Sequence, residues 1–245
     1  MRPKKQIYSN YTIQDFQVWK ILFERQMEHL TPIVCTEYLE ALKTVQLSAD
    51  KIPDFHELNK ILIKLTGWNI EVVPNISPQK EFFEFLSHKK FTATCWLRTM
   101  EQLDYLEEPD MFHDVFGHVP LLSNPAYSDF FKGISEIALA YSDHPKAIEL
   151  LGQIYWFTIE FGLIKEKDTL KIYGAGIISS SEETKYCLSD QSVKLNFDVA
   201  TIFGTAYRTD TIQEKYFIID SFEQLYNSLP DIKSLLIKET SVIYQ

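Results

Sequence analysis

Between Thr12 and about Leu30 the apolar residues Phe16, Trp19, Phe23, Met27 and Leu30 recur every three or four positions, the spacing of one helical face. Thr12 precedes the run as a cap, and Asp15 falls in the first turn, where a carboxylate favours the helix N-terminus. A second helix is expected from Thr36 and a third from Asp54, the latter ending at Gly67, a residue able to take the left-handed conformation that closes helices. Trp68 to Val73 reads as a strand. Ser77-Pro78 restarts a helix through Leu86, and Phe91 to Leu97 is apolar enough for a short strand or a buried extended segment. Further helices are expected near 124–141, 146–164, 221–228 and 231–240, with short strands around Leu170 to Tyr173 and Tyr216 to Ile219. The pattern predicts a mainly α fold with minor short β-strands (α+β), without the strand–helix alternation of a parallel sheet.

At 245 residues the chain can bury a full core and sits near the limit of what one core supports, so a single domain over 1–245 is expected. No internal repeat, low-complexity tract or Gly/Ser/Pro linker divides it. Hydrophobic residues make up 45% and charged residues 24%, an ordinary profile for a globular enzyme. The formal net charge of −10 argues against nucleic acid, which needs clustered Lys and Arg; Arg2-Pro3-Lys4-Lys5 is too short to reverse that. Cys35, Cys95 and Cys187 are odd in number and lack C-x-x-C spacing, which suggests neither a disulfide framework nor a zinc ribbon and fits a reducing compartment. No run reaches the ~18 consecutive apolar residues of a membrane span, and the polar start of the chain lacks a signal-peptide core. A cytoplasmic location and no membrane partner are expected.

The segment Glu108 to Pro120 places two of the six histidines, His113 and His118, five residues apart. At about 100° per residue an α-helix turns such a pair about 140° away from each other. A helix started by Pro109 and ending near Gly117 would let the chain swing His118 back towards His113. This spacing differs from H-E-x-x-H, where a four-residue step puts both ligands on one face. Two histidines this close also occur as ordinary core or surface residues. Glu160 supplies a possible third ligand, a lone carboxylate in the apolar stretch Tyr155 to Leu163. Buried there, it needs a partner, and a divalent metal is one; an exposed helix face or a lysine partner is the alternative. Two histidines and one carboxylate suit an open non-haem iron site, but zinc hydrolases use the same types, and ligand identity alone does not separate them.

The chain resembles the biopterin-dependent aromatic amino acid hydroxylase family in three segments, E-P-D-M-F-H-D-V-F-G-H-V-P-L-L (108–122), Y-W-F-T-I-E-F-G-L (155–163) and I-Y-G-A-G-I-I-S-S (172–180). L-D-Y-L-E-E-P-D (103–110) and Y-F-I-I-D-S-F-E-Q-L (216–225) are most similar to bacterial members acting on phenylalanine, and the likeness runs from about residue 8 to about 230. The resemblance implies that His113, His118 and Glu160 hold Fe(II). It also implies that Arg98 grips a substrate carboxylate through a bidentate pair, and that Trp156 and Ser179 line the substrate site. Phe82 would stack on a tetrahydropterin, with Asp114 and Tyr155 facing it.

The implied activity is a monooxygenation that uses Fe(II), a tetrahydropterin co-substrate and dioxygen, converting L-phenylalanine to L-tyrosine. Tryptophan and tyrosine are the alternative substrates. Asn75 stands where relatives usually carry glycine, and Thr209 stands where bacterial phenylalanine enzymes tend to carry an apolar residue. A zinc hydrolase with Asp114 as general base would leave Arg98 and the distant segments without a role. A non-catalytic family member would need a broken ligand, and all three are intact. No room for a regulatory domain and no heptad run after Ile232 are apparent, so a monomer or weak dimer with a small-molecule aromatic amino acid as partner is expected.

Overall fold

The computed structural model describes residues 2–104 and 106–241; Tyr105, within the 103–110 segment, and both ends of the 1–245 span lie outside them. Helix α1 (Ile13–Leu30) opens on a reciprocal cap in which the Thr12 side chain accepts from the Asp15 N–H and the Asp15 carboxylate accepts from the Thr12 N–H. Its inner face buries Val18, Trp19, Leu22 and Leu30. Helix α2 spans Thr36–Thr44, and α3 (Phe55–Leu65) is capped by the Asp54 carboxylate. Gly67 follows α3 at φ +80°, its N–H bonded back to Leu62 and Ile63 carbonyls.

Strand β1 (Asn69–Val72), helix α4 (Gln79–Ser87) and strand β2 (Lys90–Ala93) form a βαβ unit whose strands pair in parallel. This departs from the expectation of no strand–helix alternation. The two strands and the helix between them stand where the pattern put them; their parallel pairing was not expected, because it joins residues distant in sequence that only the fold brings together.

Helix α5 (Pro125–Ala140) follows the Asn124 cap and α6 spans Pro145–Tyr155. The predicted helix over 146–164 stops early, because the chain reverses after Glu160 into β3 (Gly162–Glu166). Strand β4 (Thr169–Ile172) pairs antiparallel with β3. Short helices α7 (Ala175–Ser179) and α8 (Ser181–Tyr186), strand β5 (Val193–Asn196) and helix α9 (Val199–Phe203) come next, none of them expected from the pattern. Strand β6 (Lys215–Ile219) inserts between β3 and β5, parallel to both, to give the order β4-β3-β6-β5. Helices α10 (Phe222–Asn227) and α11 (Leu229–Ser241) close the chain.

The fold is mainly helical with minor short strands, and its buried apolar residues from Val18 to Leu236 join in one cluster. No helix among the described residues is long and apolar enough to cross a membrane. The reversal after Glu160 relies on close backbone approach. Gly174 donates its N–H to the Gly162 carbonyl at 3.0 Å, and a Cβ at Gly174 would lie 2.4 Å from the Glu160 carbonyl oxygen. Backbone atoms on both sides leave nothing to rotate away. We expect Gly174→Ala to lower stability by about 1–3 kcal/mol, the range for overpacking a tight site. Urea unfolding should show this as a lower midpoint at unchanged slope; a parental midpoint would contradict it.

Candidate metal centre and its cavity

Two π-wound turns carry the candidate ligands. The first spans Phe112–His118; Pro109 and Asp110 precede it outside any helix, so the turn starts after Pro109, and Asp110 Oδ1 accepts from the His113 N–H at 3.3 Å. In an i→i+5 winding, residues five apart lie nearly above one another. His113 and His118 therefore point the same way, with ring centroids 5.1 Å apart and planes at 82°. The expected break near Gly117 does not occur, since the chain stays helical through His118 and the wider winding aligns the rings instead. The second turn, Trp156–Glu160, extends α6 and closes with the Phe161 N–H on the Trp156 carbonyl at 2.9 Å, again five residues apart. It directs Glu160 at the two rings.

Glu160 Oε1 lies 3.3 Å from His118 Nε2, and Oε2 lies 3.9 Å from His113 Nε2. Donors about 2 Å from one cation and set at right angles are roughly 3 Å apart, close to these separations. Glu160 is only 8% exposed and pairs with no Lys or Arg among the described residues, so neither an exposed face nor a lysine partner accounts for it. Burial alone would raise its carboxyl pKa, but the facing His118 and His113 rings and the Tyr155 hydroxyl outweigh that and hold it below the usual range. Burial pushes His113 down to about 4, which keeps its imidazole neutral, the form that binds metals. Ser179 Oγ donates to the Ala175 carbonyl at 2.9 Å and lies 2.8 Å from His113 Nδ1, so it accepts from that nitrogen. The proton is thereby fixed on Nδ1 and the Nε2 lone pair faces Glu160. Two imidazole nitrogens and a carboxylate, brought together in the interior, fit a divalent cation.

A cavity of about 1030 Å³ opens over the cluster, and the site residues named from the sequence line it: Phe82, Arg98, His113, Asp114, His118, Tyr155, Trp156, Glu160 and Ser179, together with Asn75 and Thr209. Arg98 gives its Nε and Nη2 to the two oxygens of Asp110, each at 2.9 Å, and its own N–H to Asp110 Oδ2. One edge of the guanidinium is thus held by a fully buried aspartate, leaving the Nη1 edge for another anion. Asp114 Oδ2 accepts from the Thr94 N–H and hydroxyl at 2.7 and 2.8 Å; burial still pushes its carboxyl up to about 7. Phe82 packs edge-on against Tyr155 at 5.8 Å. The Trp156 indole stacks on Tyr207 and packs at a tilt against Phe161, each with centroids 4.6 Å away.

A family model described as biopterin-dependent aromatic amino acid hydroxylase matches residues 4–245. The chain belongs to that family. It is 43% identical over 235 residues to phenylalanine-4-hydroxylase of Chromobacterium violaceum, covering 93% of this chain and 77% of that one. The crystal structure of the C. violaceum enzyme with oxidised Fe(III) superposes with a TM-score of 0.91 at 41% identity, over 98% of this chain and 87% of that one. A second, with iron(III) and the oxidised cofactor 7,8-dihydrobiopterin, gives 0.89 at 41% identity over 97% and 86%.

Sequence reasoning for this hydroxylase missed Asp110 and Thr94, which hold Arg98 and Asp114. Asp110 stood inside the 108–122 segment, but only the fold reveals that its carboxylate turns back to Arg98 twelve residues earlier. A second group, Cys35, Glu37 and Glu166, also lies close together. Its chemistry is poor for a metal, because burial pushes the Cys35 thiol well above the usual range and Thr36 already occupies Glu166. We expect stoichiometric Fe(II) uptake, abolished in His118→Ala and strongly reduced in Glu160→Gln, with Cys35→Ser unchanged. Metal analysis after desalting checks this; unaltered uptake in His118→Ala would contradict the assignment.

Proposed function

We propose that this protein is a tetrahydropterin- and Fe(II)-dependent monooxygenase that converts L-phenylalanine to L-tyrosine. One observation carries the reading: the two imidazoles and Glu160 converge on the floor of an aromatic-walled cavity that also contains Arg98. The name of the C. violaceum relative and the iron and dihydrobiopterin in its structure support the same substrate and cofactors.

His113, His118 and Glu160 would hold the iron, and leave its cavity side open. An iron bound there would activate dioxygen, which would supply the oxygen atom, with the tetrahydropterin as the source of electrons. The chain's own residues bind, orient and exclude water. The free edge of Arg98 takes the substrate carboxylate, and Asp110 keeps the guanidinium plane in place so that little ordering is needed on binding. Trp156 bounds the space for the aromatic ring. Ser179 acts on the site through His113, whose Nδ1 proton it holds. Phe82 and Tyr155 present ring faces and edges to a pterin, and Asp114, held by Thr94, offers it a carboxyl group. Residues 1–245 would act as one catalytic unit, as a monomer or weak dimer.

The test is anaerobic loading with Fe(II), then air, a tetrahydropterin and each of phenylalanine, tyrosine and tryptophan, with products separated by chromatography. Tyrosine should form from phenylalanine only when iron, pterin and oxygen are all present, and His113→Ala should form none. Hydroxylated tryptophan as the main product would move the substrate, and no product from iron-loaded protein would overturn the function. In the same assay Arg98→Lys should raise the KM for phenylalanine roughly 10- to 100-fold, the equivalent of a charge-assisted hydrogen bond of about 1.5–3 kcal/mol. An unchanged KM would remove Arg98 from substrate binding.

A further inference from the structure

Residues 206–212, between α9 and β6, are all exposed, and 206–213 make no backbone–backbone hydrogen bond among the described residues. Such a segment has little of its own to hold a shape. Yet Thr209, Asp210, Thr211 and Ile212 line the cavity, and the Tyr207 ring lies flat on Trp156, the planes at 18°. Gln213 is the tie. It is 5% exposed, its Nε2 donates to the Arg208 carbonyl at 2.7 Å and the Thr211 carbonyl at 2.9 Å, and its Oε1 accepts the Trp156 indole N–H at 2.9 Å. Both amide donors and the acceptor are in use, so the side chain has one orientation that satisfies all three partners.

Gln213 is fixed in turn by Glu183, on α8, whose Oε1 accepts the Gln213 N–H at 2.8 Å and whose Oε2 accepts from the Tyr216 hydroxyl. Glu183 is buried and starts four residues after Ser179, the partner of His113. One polar network therefore spans the exposed loop, the indole at the start of the second π turn, α8 and Tyr216 on β6. A fully satisfied buried network of this kind fixes geometry more strongly than its separate bonds do.

We propose that Gln213, held by Glu183, is a positioning residue for the aromatic substrate: it locks the Trp156 ring and the 208–212 loop together as one wall of the substrate pocket. It acts through those groups and takes no part at the metal. The proposal rests on the hydroxylase reading above and adds the device that sets its ring pocket.

The test compares iron-loaded wild type with Gln213→Leu, which keeps bulk and removes the amide, and Gln213→Glu, which keeps an acceptor for Trp156 but loses the donors to the loop carbonyls. Limited proteolysis of the folded protein with trypsin should cut after Arg208 about tenfold faster in Gln213→Leu, the scale of a lost hydrogen bond, with cutting elsewhere unchanged. The KM for phenylalanine should rise about tenfold, with Fe(II) stoichiometry and the KM for the tetrahydropterin within about twofold of wild type. Gln213→Glu should loosen the loop as well, and it serves alone if Gln213→Leu does not fold. A general loss of structure would instead move the metal content and both KM values together. A wild-type rate of cutting after Arg208 with an unchanged KM for phenylalanine would overturn the positioning role. A wild-type protein that hydroxylates none of the three amino acids would sink the function, and the proteolysis comparison would still decide whether Gln213 ties the loop.

Discussion

A carboxylate taken out of water among aromatic rings costs several kcal/mol unless a cation or a set of donors faces it. Glu160 is in that position, buried in a run that also buries Phe157, Ile159 and Phe161, and faces the two imidazoles and the Tyr155 hydroxyl. The rest of the chain is arranged to satisfy that one group. Two π-wound turns are needed to do it, because each aligns side chains five residues apart that an α-helix would separate. The backbone then reverses tightly, with Gly174 packed against the carbonyl of Glu160 itself, to bring α7 and Ser179 up behind His113.

Around this centre the polar residues work in supporting pairs. Asp110 holds Arg98, Thr94 holds Asp114, Ser179 holds His113 and Gln213 holds Trp156. In each case the side chain facing the cavity is oriented by a neighbour before any ligand arrives, the arrangement that lowers the ordering cost of binding. The family's chemistry needs a metal, a reductant and an amino acid held in one small space, and preset side chains are how a chain of this size can provide it.

Much of this was legible in the sequence. The capped start of α1, the Asp54 cap, the left-handed Gly67 and the long helix after Asn124 are local signals, and each formed where the pattern put it. The cavity residues were named from family resemblance, and the fold gathers them on one cavity. The π winding was not legible, because nothing in five residues of spacing distinguishes a wide turn from a broken helix; tertiary contacts decide between them. Strands β3 and β5 escaped for related reasons. The apolar run before Gly162 reads as more helix, and two of the four β5 side chains are exposed, so no alternation marks it. Asp110 and Gln213 had no signal of their own, since their importance lies in partners that only folding brings near.

The most direct test of the centre is iron K-edge X-ray absorption on the anaerobic Fe(II)-loaded protein. Two imidazoles and a carboxylate on one iron predict scattering from two histidine rings with nitrogen and oxygen neighbours and no sulfur, falling to one ring in His118→Ala. A wild-type spectrum with a single imidazole, or one unchanged by His118→Ala, would contradict the convergence of both π turns on the metal.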